Sequence, residues 1–302
     1  MRISVLGAGA WGQALAHVAR SAGHEVHVWS RGMPLEPVEE AQGAILAVPA
    51  RGVREVLSGL KSIVTNRFDI IITAKGIEQG TGLFMNEVAA DVLPQAEALV
   101  LSGPSFAADV MKGLPTAVVL AALKLAEAQR WAEALSLPQF RIYASDDVKG
   151  VEIGGALKNV LAIACGISDG RGLGDSARAA LTTRGFAELT RFAAKLGATP
   201  ETLMGLSGLG DLLLTCSSRQ SRNYSFGLAL GEGKSVAQAL AQARGVVEGA
   251  STVRIAQALA RRHGVDMPIV DAVHAIVDEG KSPEQEIARL LSRPLRPEIR
   301  QG

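Results

Sequence analysis

The sequence is poor in cysteine, in aromatic residues and in net charge. Its 302 residues include two cysteines, Cys165 and Cys216, and Phe, Trp and Tyr together make up 4%. Two cysteines in apolar surroundings, without metal-ligand spacing, provide neither a disulfide framework nor a metal site, so we expect small core residues in a reducing compartment. Lys and Arg number 31 against 30 Asp and Glu. No basic stripe with interleaved aromatic residues occurs, which argues against a nucleic-acid-binding protein.

Long hydrophobic runs are missing as well, since no apolar run reaches the roughly 18 residues of a membrane span. The N-terminal stretch could pass for a signal peptide. However, its single basic residue, Arg2, and the interruptions at Gly7, Gly9 and Gly12 favour a strand, a turn and a helix. The content of 48% hydrophobic and 20% charged residues indicates a globular protein, long enough for two domains. We therefore predict a cytoplasmic protein that does not span a membrane.

A glycine-rich motif lies between the first two predicted strands. Residues 3–6 form a short apolar strand, GAGAWG follows at residues 7–12, a helical pattern ends at Gly23, and residues 25–29 form the next strand. In such a unit the glycines allow a sharp turn and a close approach to a pyrophosphate, and the helix N-terminus supplies free amides. The sequence therefore predicts a dinucleotide site; the alternative is a glycine-rich turn without a ligand.

The residues after the second strand bear on the choice of dinucleotide. In NAD-binding proteins of this type, an Asp or Glu at the end of the second strand accepts hydrogen bonds from the ribose hydroxyls. This chain has Trp29-Ser30-Arg31-Gly32 there and no acidic residue. An arginine here suits the 2′-phosphate of NADP. We therefore favour NADP over NAD, with Arg31 as a solvated loop charge being the alternative.

Strands alternate with helices through the rest of the first half, which predicts a parallel, doubly wound sheet. Ligands of such sheets lie beyond the carboxyl ends of the strands, where Lys75 and the turn at residues 103–107 fall. The further strands are predicted at residues 44–48, 68–73, 98–101, 116–120 and 140–143, and the helices at residues 51–60, 81–92 and 121–135.

The strand pattern stops after Tyr143, and helical patterns follow. The predicted fold class is thus α/β, with an N-terminal Rossmann-like doubly wound parallel sheet over residues 1–145 and an all-α domain over residues 146–302. The first helix is predicted at residues 146–169. The second ends at Lys195 and has Asp175 or Ser176 as its cap, and the third starts at Thr199 and is broken at residues 207–211. Further helices are predicted at residues 235–243, 251–263, 269–279 and 283–291, the last with Ser282 as its cap.

Lys158 is the one charged residue between Ile153 and Ser168. Burial lowers the pKa of a lysine toward neutrality, which suits a proton donor for hydride transfer to a ketone. The alternative is a core-helix lysine that reaches out to water. Asp211, the sole carboxylate between Glu201 and Glu232, would hold the ammonium; a helix cap is the alternative.

A polar loop, SRQSRN at residues 218–223, offers Arg222 and Asn223 beside serines. Guanidinium, amide and hydroxyl groups suit a phosphate, although a solvent-exposed loop is the alternative.

Seven motifs in this order resemble the bacterial-type glycerol-3-phosphate dehydrogenases, over nearly the whole chain. They are GAGAWG, AKG at residues 74–76, SGPSFA at 102–107, ALKNVLAIACGI at 156–167, SGLGDLLLTCSS at 207–218, SRN at 221–223 and VVEG at 246–249. The resemblance implies reversible, NAD(P)-dependent reduction of dihydroxyacetone phosphate to sn-glycerol 3-phosphate for phospholipid synthesis. It also implies two domains with the site in the cleft between them, and a homodimer.

The resemblance assigns roles to residues that match its motifs. Lys158 would be the general acid and base. The substrate would be bound by Lys75, Gly103, Ser105, Asp211, Ser221, Arg222 and Asn223, with the last two nearest its phosphate. The cofactor would be bound by Gly7, Gly9, Ala10, Trp11, Gly12, Arg31, Lys75, Ala107, Arg222, Val246 and Glu248.

Two departures from the family pattern stand out. Ala10 replaces a common serine, which removes one hydroxyl contact to the cofactor phosphates. The segment at residues 31–44 is shorter than usual and lacks most of a crossover helix and strand. Such a segment would leave the adenosine end more open, and it weakens the preference for NADP, so the cofactor is predicted to be NADP or NAD. Two other functions are considered: a β-hydroxyacid dehydrogenase of related fold, which would need a carboxylate-binding site, and a non-catalytic NAD(P)-binding sensor.

Overall fold

A computed structural model describes residues 1–243 and 245–295. The chain begins as a sheet with helices on both faces and continues as a purely helical half, which agrees with the predicted fold class. The last residues of the predicted second domain, 296–302, lie outside the described residues. The final strand ends at Ser145 and the next helix begins at Val148.

The sheet has seven strands in the order β2-β1-β3-β4-β5-β6-β7. Their bounds are β1 Arg2–Leu6, β2 Glu25–Trp29, β3 Gly43–Leu46, β4 Phe68–Ile72, β5 Ala96–Ser102, β6 Thr116–Ala121 and β7 Phe140–Ser145. The seven predicted strands were expected to be parallel to their neighbours throughout, but β5 and β6 pair antiparallel while all other pairs are parallel. The periodicity that identifies a strand does not encode its direction, so the sequence could not reveal this reversal.

Helices cover both faces of the sheet, as a doubly wound arrangement requires. They are α1 Ala10–Ser21, α2 Ala50–Gly59, α3 Met85–Val92, α4 Ala107–Met111 and α5 Leu125–Leu135, with a short 3₁₀ helix at Glu36–Val38. Side chains of α1 and α5 pack on one face of the sheet, and side chains of α2 and α3 pack on the other. Helix α3 begins at Met85 and not at residue 81 as predicted, because Ile77 and Phe84 form an isolated β-bridge just before it. Helix α4 was not predicted.

The second half contains nine helices within the described residues. They are α6 Val148–Gly170, α7 Asp175–Lys195, α8 Pro200–Met204, α9 Asp211–Ser217, α10 Arg222–Gly231, α11 Val236–Gln242, α12 Glu248–Arg262, α13 Pro268–Val277 and α14 Pro283–Leu291, with a π-helix at Leu206–Gly210.

Three predictions in this half need correction, and one is confirmed. Neither Asp175 nor Ser176 caps α7, whose N-cap is Gly174. The break predicted at residues 207–211 is a π-helix that continues into α9. Helix α10 was missed, because two of its ten residues are glycines, which weaken a helical pattern. Ser282 caps α14 as predicted, its Oγ accepting a hydrogen bond of 3.3 Å from the amide of Gln285.

Helix α6 is the central element of the helical half. It has 23 residues, and its most apolar window has a mean hydropathy of 1.4, enough by length and composition to cross a membrane, but that window is wholly buried inside the protein. Helices α7, α9, α10 and α12 pack around it. A helix that is hydrophobic on all sides is expected in such a position.

Glycines bring α6 and α10 into main-chain contact. A Cβ placed on Gly227 would lie 2.8 Å from the carbonyl carbon of Ile163, and one on Gly231 would lie 2.9 Å from Cα of Gly170. Real Cβ atoms do not approach backbone so closely. The helices therefore could not pack at this distance with larger residues, and the position of Lys158 on α6 depends on that packing.

Gly227→Ala is expected to lower the free energy of unfolding by about 1–3 kcal/mol, since overpacking forces the backbone to shift. Gly52→Ala is the matched control: its Cβ would meet only the Val48 side chain at 3.8 Å, so a gain of about 0.5–1 kcal/mol is expected. Urea unfolding measures both changes. Equal stability of the two variants would contradict the main-chain contact.

Candidate active site

Lys158 lies on α6 with its ammonium group directed at one carboxylate. The residue is 6% exposed. Its Nζ donates hydrogen bonds to Oδ1 of Asp211, the first residue of α9, and at 2.9 Å to Oγ1 of Thr215, one turn further along that helix. Lys158 therefore does not reach out to water, and Asp211 is not the cap of α9, whose N-cap is Gly210.

A second lysine, from the first half of the chain, shares this carboxylate. Lys75 follows β4, and its Nζ donates to Oδ2 of Asp211 at 2.7 Å and to the main-chain oxygen of Gly103 at 2.9 Å. Gly103 follows β5, and its oxygen also accepts a bond of 3.1 Å from Oγ of Ser105. Lys75, Gly103, Lys158 and Asp211 thus form one network at the carboxyl edge of the parallel strands, the edge at which the sequence predicted Lys75 and the turn at residues 103–107.

The charges in this network set its proton chemistry. Burial lowers the pKa of Lys158 to about 8; the charge of Asp211 opposes that shift and the ammonium of Lys75 adds to it. Burial alone would raise the pKa of Asp211, but the charges and hydrogen bonds of the two lysines lower it below its usual value. One carboxylate thus faces two ammonium groups. The buried lysine can give up a proton near neutral pH while Asp211 stays ionised.

The π-helix Leu206–Gly210 directly precedes α9, so its packing sets the position of Asp211, the first residue of α9. A Cβ on Gly208 would lie 2.6 Å from the carbonyl carbon of Leu203, and one on Gly154 of α6 would lie 2.6 Å from the main-chain oxygen of Ser207. Such wide turns are frequent at functional sites. Gly208 therefore lets the π-helix close against Leu203, and Gly154 lets it press against α6, which brings the carboxylate to Lys158.

The predicted phosphate-binding residues lie at the start of α10. Ser221 is its N-cap, and its Oγ accepts a hydrogen bond of 3.2 Å from the amide of Tyr224. Arg222 is exposed, and the first amides of the helix have no partner within it. The side chain of Asn223 points inward, with Nδ2 donating to Oδ1 of Asn159 at 2.9 Å.

The glycine-rich turn before α1 fits a dinucleotide. Gly7 has φ +127°, a backbone conformation that favours glycine, and a Cβ on Gly12 would meet the main chain of Gly7. A Cβ on Gly9 would meet nothing within 4 Å, so the turn is open above this residue. The first turn of α1, which begins with Ala10 and Trp11, has no acidic residue and no side-chain cap. Its amides are therefore available to a pyrophosphate.

Four other predicted cofactor residues lie at separate points. Glu248 begins α12, and its Oε1 accepts a hydrogen bond of 3.3 Å from the amide of Ala50 at the start of α2; burial raises the pKa of Glu248. The side chain of Arg31 is 85% exposed and lies 3.7 Å from Oε2 of Glu55. Ala107 begins α4, and Val246 precedes α12. Among the described residues, Arg31, Ala107 and Val246 make no hydrogen bond to the network around Lys158.

Sequence reasoning missed Thr215 and Asn159. Thr215 is 3% exposed, accepts from Lys158 and donates to Oδ1 of Asp211 at 3.2 Å. Asn159 is 5% exposed, and its Nδ2 donates to the main-chain oxygen of Lys75 at 3.2 Å. A polar residue one helical turn after Asp211 in an apolar stretch, and another beside Lys158, are signals that could have found them.

Models of both halves of the NAD-dependent glycerol-3-phosphate dehydrogenases match the chain. The C-terminal model matches residues 147–288, and the N-terminal model matches residues 2–35 and 34–128. A protein from Parvibaculum lavamentivorans named glycerol-3-phosphate dehydrogenase (NAD(P)+) is 48% identical over 326 residues, with 98% of each chain covered. A protein of the same name from Methylobacterium radiotolerans is 51% identical over 326 residues with the same coverage.

These alignments also locate the short segment. They exceed the 302 residues of this chain, and the two N-terminal matches meet at residues 34–35. The relatives therefore carry additional residues within the segment at 31–44. In this chain the connection between β2 and β3 contains the 3₁₀ helix Glu36–Val38, and β2 is an edge strand of the sheet.

A solved structure supports the same assignment. The crystal structure of a glycerol-3-phosphate dehydrogenase from Coxiella burnetii has a TM-score of 0.93 and 38% identity, covering 97% of this chain and 99% of that one. These matches favour the first of the three functions considered from the sequence over a β-hydroxyacid dehydrogenase or a sensor. The chain belongs to the NAD-dependent glycerol-3-phosphate dehydrogenases, a family of oxidoreductases.

Proposed function

We propose that this chain catalyses the reversible NAD(P)-dependent reduction of dihydroxyacetone phosphate to sn-glycerol 3-phosphate, a precursor of glycerophospholipids. One observation carries the proposal. A buried lysine with a pKa of about 8 shares a single carboxylate with a second lysine, at the carboxyl edge of a dinucleotide-type sheet. The names of the relatives support the identity of the substrate.

The proposed mechanism assigns the proton to Lys158. NAD(P)H, when bound, supplies the hydride for C2 of the ketone. The Lys158 ammonium donates a proton from Nζ to the C2 oxygen and becomes a neutral amine, and water then reprotonates it. In oxidation the neutral amine takes the proton from the hydroxyl. Asp211 keeps Nζ in place, because its lowered pKa leaves it ionised throughout.

The remaining substrate residues hold charge and phosphate. Lys75 brings a second positive charge to the oxygen that becomes negative in the transition state, with its Nζ fixed by Asp211 and Gly103. Arg222 and the first amides of α10, capped by Ser221, suit a phosphate. Gly103 and Ser105 contribute the turn beside Lys75.

Further proposals concern the organisation of the protein. We place the boundary between a nucleotide-binding domain and a substrate domain at residues 145 and 146, between β7 and α6. Two free, buried cysteines support a reducing, cytoplasmic compartment. The proposal of a homodimer rests on the family resemblance.

Lys158→Met is expected to reduce kcat for dihydroxyacetone phosphate reduction by about 10²–10⁴-fold, the usual contribution of a general acid. Cofactor affinity should stay within threefold, because Nζ of Lys158 is bound to Asp211 and Thr215 of α9 and not to the glycine-rich turn. NADH oxidation and quenching of tryptophan fluorescence measure the two quantities. The exposed Lys61→Met is the control, and near-normal turnover of Lys158→Met would refute the assignment.

The two reaction directions should respond oppositely to pH. Reduction needs the ammonium form, so its kcat/KM should fall as pH rises through about 8, while oxidation of glycerol 3-phosphate should rise over the same range. The charge of Asp211 raises the pKa of Lys158, so Asp211→Asn should move both transitions to lower pH. Initial rates from pH 6 to 10 test this, and transitions that stay in place in Asp211→Asn speak against Lys158 as the titrating group.

Arg31→Gln is expected to raise KM for NADPH about tenfold, which corresponds to about 1.4 kcal/mol, one charge-assisted contact. KM for NADH should stay within twofold, because NADH lacks the 2′-phosphate. Arg262→Gln, another exposed arginine, is the control. An equal rise for both cofactors would contradict a 2′-phosphate contact.

A further inference from the structure

An arm of the nucleotide half is built into the core of the helical half. The arm, residues 77–84, connects Lys75 and Gly76 to α3 and is closed by the antiparallel bridge between Ile77 and Phe84. These two side chains are 4% and 3% exposed and belong to the same hydrophobic cluster as the apolar residues of α6. Only Gly76 separates the arm from Lys75, so the packing of the arm limits where the backbone of Lys75 can lie.

A buried carboxyl group of α6 holds the start of α3, directly after the arm. The first amides of a helix have no partner within it, and Glu152, which is 6% exposed, accepts a hydrogen bond of 2.9 Å at Oε1 from the amide of Asn86. Its Oε2 is buried without a hydrogen-bond partner among the described residues, and so is Oδ1 of Asn86. An ionised carboxylate and an amide oxygen are both acceptors only, so these two atoms could bond each other only through a shared proton.

The surroundings of Glu152 favour its neutral form. Burial raises the pKa of Glu152 to about 8, although the amides at the start of α3 and the charge of Lys149 oppose this shift. Lys149 of α6 is paired at 2.5 Å with Glu87 of α3, whose own charge raises the pKa of Glu152. A neutral carboxyl group accepts at one oxygen and donates from the other. Asn86 offers the matching pair, an amide donor and an unpaired oxygen.

We infer that Glu152 is a positioning residue held as the neutral acid, whose Oε1 accepts from the Asn86 amide while its Oε2–H donates to Asn86 Oδ1. These two bonds fasten α3 and the arm to α6, the helix that carries Lys158. They thereby set the backbone of Lys75 relative to Lys158. The inference rests on the proposed function in one respect, which is that Lys75 acts on the substrate.

Glu152→Gln tests the neutral acid by thermal unfolding, because glutamine keeps an acceptor and a donor but cannot ionise. A carboxyl group whose pKa is raised by folding stabilises the protein fully below its unfolded-state value of 4.5, and this contribution is lost as pH rises through about 8. We therefore expect the Tm of Glu152→Gln minus that of the unchanged chain to increase by about 3 °C or more from pH 5 to pH 9. Glu188 and Lys158 titrate in the same range but are present in both proteins, so their effects cancel.

Two outcomes of this experiment would overturn the inference. A Tm difference that stays constant or falls as pH rises would show an ionised Glu152, with Nδ2 of Asn86 as its donor. A Glu152→Gln chain that does not fold at pH 7 would show that a neutral amide cannot replace the group. Glu133→Gln, at an exposed glutamate of α5, is the control, and its Tm difference from the unchanged chain should not vary with pH.

Glu152→Met tests the link to Lys75, since methionine has a similar volume but makes neither hydrogen bond. We expect kcat at pH 7 to fall at least tenfold in the otherwise unchanged chain, but no more than threefold in a Lys75→Ala background, because the effect acts through Lys75. Glu152→Gln should keep kcat within threefold, because it retains both bonds. Equal losses of kcat for Glu152→Met in the two backgrounds would overturn the inference.

Two further points keep the test decisive. Asn86→Ala removes the acceptor for Oε2–H from the other side, and it replaces Glu152→Met in the same comparison if circular dichroism shows that the methionine variant does not fold. A lack of turnover of dihydroxyacetone phosphate by the unmutated chain would contradict the proposed function alone. The pH dependence of Tm needs no substrate and would then still decide the state of Glu152.

Discussion

The structure depends on one buried carboxylate shared by two lysines. Asp211 is 1% exposed, and an uncompensated charge at such a site costs several kcal/mol. Lys158 and Thr215 of the helical half bind Oδ1, and Lys75 of the nucleotide half binds Oδ2. Because the ligands come from both halves, the compensation exists only while the halves are docked. Burial, aided by the charge of Lys75 and opposed by that of Asp211, lowers the pKa of Lys158 and makes it able to release its proton.

Helix α6 explains how one element serves both packing and chemistry. Its small residues let the π-helix and α10 approach at main-chain distance, which fixes the helix on several sides. Its polar residues, Lys158 and Asn159, point to Asp211 and to the backbone of Lys75. A lysine on a loosely packed helix could move toward water and regain its usual pKa. Tight packing therefore maintains the low pKa that acid–base catalysis requires.

The proposed cofactor region consists of the glycine-rich turn at residues 7–12 and the short, exposed segment that follows β2. The turn at Gly7–Gly12 has the glycine conformations and free amides that a pyrophosphate needs. At the adenosine end the chain lacks residues that its relatives carry, and the predicted specificity residue Arg31 is 85% exposed beside Glu55. An exposed ion pair contributes about 0–1 kcal/mol, so Arg31 can leave Glu55 for a phosphate at little cost. If Arg31 contacts the cofactor as proposed, discrimination between NAD and NADP rests on few contacts.

The sequence predicted most of the elements and the central lysine, and what it missed has physical causes. Strands and the capped helix α14 are local patterns, so they could be located; the direction of β6 depends on a long-range pairing and could not. Gly227 and Gly231 weaken the local helical signal of α10, yet the same glycines permit its contact with α6. Residues 207–211 look like a break for the same reason. At these positions the low helix propensity of glycine opposes the helix that forms. The close contact between helices that glycine permits stabilises the helix nevertheless.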